Sequence, residues 1–371
     1  MDLAPMRLLT VNAGSSSTKC SVLDDDTTVL RRQLPGPPSK ATGDDIGELV
    51  RQHEPKATVH RIVHGGSRWR RAVIVDAAVE ADVAALAELA PLHNPAGLAL
   101  LDHVRQLAPR LPAVACFDTS FFADLPDEAA RYAVPEDWRR HLGIRRYGFH
   151  GLSHAWASRH AAELVGSGLR ELRIVSAHLG SGASLAAVDR GRPVDTTMGY
   201  TPLDGLVMAT RPGTLDPGIV TAVARHTGWS ADELDDRLER RCGLLALAGT
   251  PDLAAVIERS HQGDPIATSA FAVYLHRLRG AIGAMAATMG GVDVLVFTGG
   301  AGEASAELRA AACDRLGFLG LQVDPARNDA TGDRLISPRR QPAVAVVAAR
   351  EDLEMARQAR TALNRRSRRR P

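Results

Sequence analysis

Short apolar runs that end in polar residues alternate with stretches of helical spacing along most of this chain. The first run, residues 8–11, stops at Asn12. A turn of Gly14, Ser15, Ser16 and Ser17 follows, then Lys19 and a second run, residues 20–23, closed by Asp24. That is the pattern of strand, tight turn, strand. Residues 174–189 repeat the plan, with Gly180, Ser181 and Gly182 in the turn, and two such hairpins far apart imply two similar half-folds. Residues 61–63, 113–117, 292–297 and 343–349 read as further strands, and 113–117 delivers Asp118 at its C-terminal end. Residues 25–55 are polar and rich in Pro and Gly, so a variable excursion with a short helix near 46–52 is expected. Helical spacing runs over 78–90, where Val79, Val83, Leu86 and Leu89 recur. Further helices are expected over 98–107, from about 153 to 164, over 266–289, from about 305, and over 351–363. Ser230 and Glu233 form a capping box that opens another, reaching to about Arg240. Gly280 and Gly283 read as points of close packing on the long helix. Residues 145–150 and 197–217 read as loops, and a loop as long as the second is usually functional inside a compact domain.

Alternating strands and helices point to an α/β fold. Two halves that each open on a glycine-rich hairpin suggest two α/β domains with a cleft between them. The expected division is 1–148 and 149–350, with a C-terminal helix, 351–364, folded back on the first domain, and a disordered basic tail, 365–371. A length of 371 residues suits about two domains, and 45% apolar with 24% charged residues is a soluble globular composition. A net charge of +2 argues against a general nucleic-acid or membrane role. Cys20, Cys116, Cys242 and Cys313 lie far apart and read as reduced, mostly core thiols. The N-terminus has no apolar signal core and no run approaches a membrane span, so a cytoplasmic location is expected.

The hairpin at Asn12–Asp24 carries the first chemical hint. Small residues let backbone N–H groups approach an anion, and Lys19 adds charge. Its other reading is a solvated serine turn. Lys19, Lys40 and Lys56 are the only lysines in an otherwise arginine-based set of cations, which favours a role for the one inside the turn.

Eight blocks then occur in order: NAGSSSTK, HRIVHGG, PLHNP, FDTSFF, RRYGFHGLSH, HLGSGAS, MGYTPLDGLVMATRPGTLDPG and FTGGAGE. In these the chain resembles the acetate kinases, from about residue 8 to 357. The resemblance implies two ribonuclease-H-like domains of the sugar kinase, Hsp70 and actin superfamily. It implies reversible, direct in-line transfer of a phosphoryl group from ATP to acetate, with Mg²⁺ (or Mn²⁺), in a homodimer. By the same resemblance, Arg61 and Arg211 match the arginines that hold the carboxylate and the transferring phosphoryl. Asp118 matches the catalytic aspartate, and His150 and His178 match histidines near the phosphoryl. Val63, Leu92, Phe149 and Pro202 match the pocket for the acyl methyl. Asn12, Ser15, Ser17 and Lys19 match the phosphate-side hairpin, with His178, Gly180, Ser181 and Gly182 on the other. Gly299, Gly300 and Gly302 match the adenosine loop, and Asn12 and Glu351 the metal side.

Taken singly, these residues have plainer readings: surface ion pairs for the arginines, a strand-end cap for Asp118, core for the four apolar residues, and a helix-start glutamate for Glu351. Physical chemistry favours the reaction. Phosphoryl transfer needs alignment and positive charge on the equatorial oxygens rather than covalent help. A carboxylate acceptor is already ionised at neutral pH, so Asp118 has a positioning role rather than that of a strong base.

Several positions depart from the family pattern. Ser181 and Ala304 stand where Asn is usual, Pro212 and Thr214 where Ser and Asp are usual, and Ser67 where Glu is frequent. Three alternatives follow: a propionate or butyrate kinase of the same superfamily, a nucleotide-binding relative with reduced turnover, and nucleic-acid binding by the Arg-rich tail. The near-neutral charge and the absence of aromatic residues among the tail arginines count against the last.

Overall fold

The computed structural model describes residues 6–14, 17–87, 90, 94–338 and 342–367. Its strands form two six-stranded sheets. The first holds β1 (Arg7–Ala13), β2 (Ser17–Asp24), β3 (Thr27–Pro35), β4 (Ala57–Ile62), β5 (Val73–Ile74) and β6 (Ala113–Phe117), in the order β3-β2-β1-β4-β6-β5. β1, β2 and β3 form an antiparallel meander; β4 runs parallel to β1, and β6 parallel to β4. The period-two pattern of β1 and β2 sends alternate residues to opposite faces. Leu8 and Leu23 join Val59, Val114 and Cys116 under the C-terminal helix Glu351–Ser367, which contributes Met355, Ala356 and Ala359. Leu9, Val11, Cys20 and Val22 face the other way, onto Ile46, Leu49, Leu100 and Val104 of the helices Lys40–His53 and Asn94–Leu107.

The second sheet holds β7 (Arg173–Leu179), β8 (Ala183–Asp189), β9 (Arg192–Thr196), β10 (Val294–Thr298), β11 (Arg334–Leu335) and β12 (Ala343–Val346). Its order, read from the meander, is β9-β8-β7-β10-β12-β11. A meander is again followed by two parallel strands and a short antiparallel edge strand, so the second sheet repeats the connectivity of the first. The halves are similar mixed α/β folds.

The chain divides into two compact units: 1–123 with 149–156 and 350–371, and 124–148 with 157–349. The division is thus not a single cut after residue 148. Residues 124–148 belong with the second half because Arg146 and Tyr147 bond to it: Arg146 donates to the carbonyls of Thr196, Thr197 and Met198, and Tyr147 N–H to that of Gly199. The segment expected as a variable excursion contains β3 and a helix of 14 residues, capped by the Ser39 hydroxyl on Thr42 N–H. β3 is an edge strand with mostly exposed side chains, so no apolar alternation announces it. Gly280 and Gly283 do not mark close packing: a Cβ on either would meet nothing within 4 Å. The final helix runs through Ser367, so residues 365–367 are not a disordered tail; residues 368–371 lie outside the described set. Cys20, Cys116 and Cys313 are buried, Cys242 is half-buried, and all four are free thiols. Among the described residues, no helix is long and apolar enough to cross a membrane.

Candidate active site

In the first unit, three neighbouring parallel strands bring polar side chains to their carboxyl ends, where α/β sheets bind ligands. Asn12 stands near the end of β1, Arg61 near the end of β4, and Asp118 directly after β6. Arg61 Nε donates to both Asp118 oxygens, at 3.0 and 3.1 Å, and Nη2 donates to Oδ2 at 2.6 Å. Arg61 Nη1 donates to Asn12 Oδ1 at 3.2 Å, and Asn12 Nδ2 donates to Glu351 at the start of the last helix. The Asp118 side chain is 1% exposed and that of Arg61 14%. Burial pushes the Asp118 carboxyl up, and the Glu351 charge adds to this, while the Arg61 guanidinium and the His150 N–H oppose it. Burial alone would lower Arg61, but Asp118 and Glu351 together raise it above its ordinary value. Removing one partner of such a pair leaves an uncompensated buried charge, at a cost of about 3–5 kcal/mol.

The backbone around Asp118 is tightly fitted. His150 takes a left-handed φ of +56°, and a Cβ on Gly151 would lie 2.0 Å from the Asp118 carbonyl oxygen. Only glycine lets this segment approach so closely, and the approach presents the His150 N–H to the carboxylate. The loop after Arg61 is held by two polar residues. Asn94, 1% exposed, accepts from His64 N–H and donates to the His64 carbonyl, both at 3.0 Å; the Thr119 hydroxyl accepts from Gly65 N–H at 3.1 Å. Val63 is buried beside this loop, and the Phe149 ring meets His64 edge-on, with centroids 5.5 Å apart. Lys19 is exposed on β2, opposite Asn12 in register, and Ser17 accepts from the Gln33 amide. Ser15 and Leu92 lie outside the described residues.

The second unit has its own arrangement at the carboxyl ends of β7 and β10. His178 is near the end of β7, in register with Thr298 of β10. The turn of Gly180, exposed Ser181 and Gly182 follows; a Cβ on Gly180 would lie 3.9 Å from both His178 Nε2 and Gly300 N. Gly299 has φ +80°, and a Cβ there would lie 2.8 Å from the Leu179 carbonyl oxygen, so the glycine loop follows the end of β7 closely. Arg309, 1% exposed, donates to the carbonyls of Gly302 and Glu303 and to Asn328, holding the short helix Gly300–Ala304 from behind. Burial pushes this guanidinium down to about 10, and Arg334 adds to the effect. A cavity of about 270 Å³ lies on that side of the helix, lined in part by Glu303, Ala304, Arg309 and Asn328. The Ser181 carbonyl accepts from Ala209 N–H, and Arg211 pairs with Glu239 at 2.5 Å. Pro202 is buried in the same 197–216 segment, which is neither helix nor strand.

Asn94, Glu239 and Arg309 were not marked by the sequence. Asn94 sits in the PLHNP block, where its signal was present but pointed at Leu92. Glu239 acts on a partner 28 residues away, and Arg309 on carbonyls six and seven residues before it and on Asn328 after it; neither carries a local pattern that marks the role. The donor set around Arg61 suits a hard cation: the Asp118 carboxylate and the Asn12 amide oxygen accept from the guanidinium, and the Glu351 carboxylate accepts from Asn12 Nδ2. Among the described residues, no group of three or more His, Cys, Asp or Glu could hold a metal by themselves.

Residues 45–357 match the acetokinase family. A Leifsonia xyli protein named acetate kinase is 46% identical over 349 residues, covering 93% of this chain and 86% of that protein. Another of that name, from Clavibacter michiganensis, is 42% identical over 386 residues, covering 95% and 98%. The crystal structure of Porphyromonas gingivalis acetate kinase superposes with a TM-score of 0.87 at 33% identity, over 96% of this chain and 99% of that one. A propionate kinase from Francisella tularensis gives 0.87 at 31% identity, over 95% and 98%.

Proposed function

Since this chain belongs to the acetokinase family, we propose that it transfers the γ-phosphoryl group of ATP to acetate, reversibly, giving acetyl phosphate and ADP. The observation that carries the reading is the half-buried Arg61, gripped by Asp118 and Asn12 at the carboxyl ends of three adjacent strands. A guanidinium fixed in this way presents its charge without reorganisation when charge develops on the phosphoryl oxygens. Arg61 and Arg211 are the cations for the acetate carboxylate and the equatorial oxygens, and their forks suit both. Asp118 orients Arg61. The acetate is ionised at neutral pH, so no base is needed, and its oxygen attacks phosphorus in line as the bond to the ADP oxygen breaks.

His150 and His178 contact the transferring group. Val63, Leu92, Phe149 and Pro202 take the methyl; Asn12, Ser15, Ser17 and Lys19, with Gly180, Ser181 and Gly182, take phosphates; Gly299, Gly300 and Gly302 admit the adenosine. Glu351 and Asn12 are the residues that would hold Mg²⁺, which when bound neutralises phosphate charge. The reading includes a cytoplasmic homodimer. Propionate is the second acceptor to consider, favoured by the likeness to the Francisella protein; one methylene changes discrimination by only about 1–3 kcal/mol.

The arginines test the reading. Replacing either Arg61 or Arg211 with Ala is expected to lower kcat by about 10³ or more, the scale of arginine contacts in phosphoryl transfer. Lysine at either position is expected to restore little, because the planar fork is lost. Folded Ala variants that both keep activity within about tenfold of the parent contradict it.

A further inference from the structure

We propose that Glu239 is a positioning residue for Arg211, a role that rests on the phosphotransferase reading above. Arg211 Nε donates to Glu239 Oε2 at 2.5 Å, and the two side chains are 16% and 10% exposed. Among the described residues, the terminal nitrogens of Arg211 have no hydrogen-bond partner. A guanidinium has five N–H groups in one plane. The carboxylate holds the single inner one and leaves the outer fork open for an anion.

The backbone reinforces the grip. Glu239 lies in the last turn of the helix Ala231–Arg240, and the Thr210 hydroxyl donates to its carbonyl at 2.7 Å. Cys242 N–H donates to the Thr210 carbonyl, Met208 N–H to that of Arg211, and Leu244 N–H to that of Met208. Gly243 has φ +63°, and a Cβ there would lie 2.2 Å from the Met208 carbonyl oxygen and 2.7 Å from that of Arg211. The helix end and the turn after it therefore fix residues 208–211 by main chain and side chain together. The 197–216 segment supplies no acid of its own to Arg211: its Asp204 accepts from the Thr214 hydroxyl at 2.9 Å. Glu239, from outside the segment, is the acid that Arg211 pairs with.

A carboxylate beside Arg211 also subtracts positive charge, so two effects oppose each other. Alignment of a catalytic group is worth several powers of ten, and a long side chain on an irregular segment has most to lose without a tether. Positioning therefore wins, and removing Glu239 slows the reaction.

The test measures kcat and both KM values for wild type, Glu239→Ala, Glu239→Gln, Arg211→Ala and the Ala/Ala double variant, with melting curves to verify folding. Glu239→Ala is expected to lower kcat about 10–100-fold with both KM values within about threefold, the signature of an interaction that matters in the transition state. Glu239→Gln keeps an acceptor oxygen and should fall between; it decides the matter if Glu239→Ala does not fold. In the Arg211→Ala background, Glu239→Ala should change kcat by less than about twofold, because the two act as a unit. Folded Glu239 variants at or above the wild-type kcat overturn the inference. An equal loss with Arg211 already absent also overturns it, because that loss is purely structural. An inactive wild type overturns the phosphotransferase reading and this role with it; an active wild type with indifferent Glu239 variants overturns this role alone.

Discussion

At the scale of single residues, burial decides which charges the protein keeps. Arg61 and Asp118 are both taken out of water and remain tolerable because three N–H···O contacts join them. His60, on the same strand as Arg61 and 1% exposed, has no such partner, and its Nε2 lacks a hydrogen bond among the described residues. Burial pushes this imidazole down to about 3 from an ordinary 6.5, and Arg105 adds to the shift. The folded state therefore refuses a proton that the unfolded chain accepts. Stability from this group is intact above about pH 6.5 and is lost as the pH falls toward about 3, at about 1.4 kcal/mol per pH unit. Urea titrations of wild type and His60→Leu between pH 7 and 4 measure it: the wild type should lose stability relative to the variant as pH falls. Parallel curves would contradict a buried neutral His60.

At the scale of elements, Gly280 offers a clean case. It lies within the helix Pro265–Thr288, exposed, with open space where a Cβ would go. Gly280→Ala should stabilise the fold by about 0.5–1 kcal/mol by reducing the freedom of the unfolded chain; a lower melting temperature would show a packing role after all. Sequence reading mistook this glycine because a missing side chain looks the same whether a neighbour or empty solvent lies beside it. Elements with a strong local cause were legible. Residues 113–117 form a strand because all five are apolar and buried, and the helix Ala231–Arg240 begins where its Ser230–Glu233 capping box sets it. β3 was not legible because an edge strand with exposed side chains has no alternation to read. In the candidate site, motif residues such as Asn12, Arg61 and Asp118 were readable and do come together. Supports such as Asn94, Arg309 and Glu239 were not, since each meets its partner only through the fold.

At the scale of the whole molecule, the chain is the same α/β plan used twice, with polar groups at the carboxyl ends of the parallel strands in each unit. The duplication was legible in the two hairpins. The exchange of residues 124–148 and 149–156 between units was not, because it depends on Arg146, Tyr147 and Gly151 finding carbonyl groups far away in sequence or, for Gly151, very close in space. The central claim is that this plan serves phosphoryl transfer to a small carboxylate. Phosphorus NMR of the purified chain with ATP, Mg²⁺ and, in parallel, acetate, propionate or butyrate tests it most directly. The account predicts one acyl phosphate formed for each ADP, fastest with acetate. Intact, folded protein that forms no acyl phosphate from any of the three would contradict it.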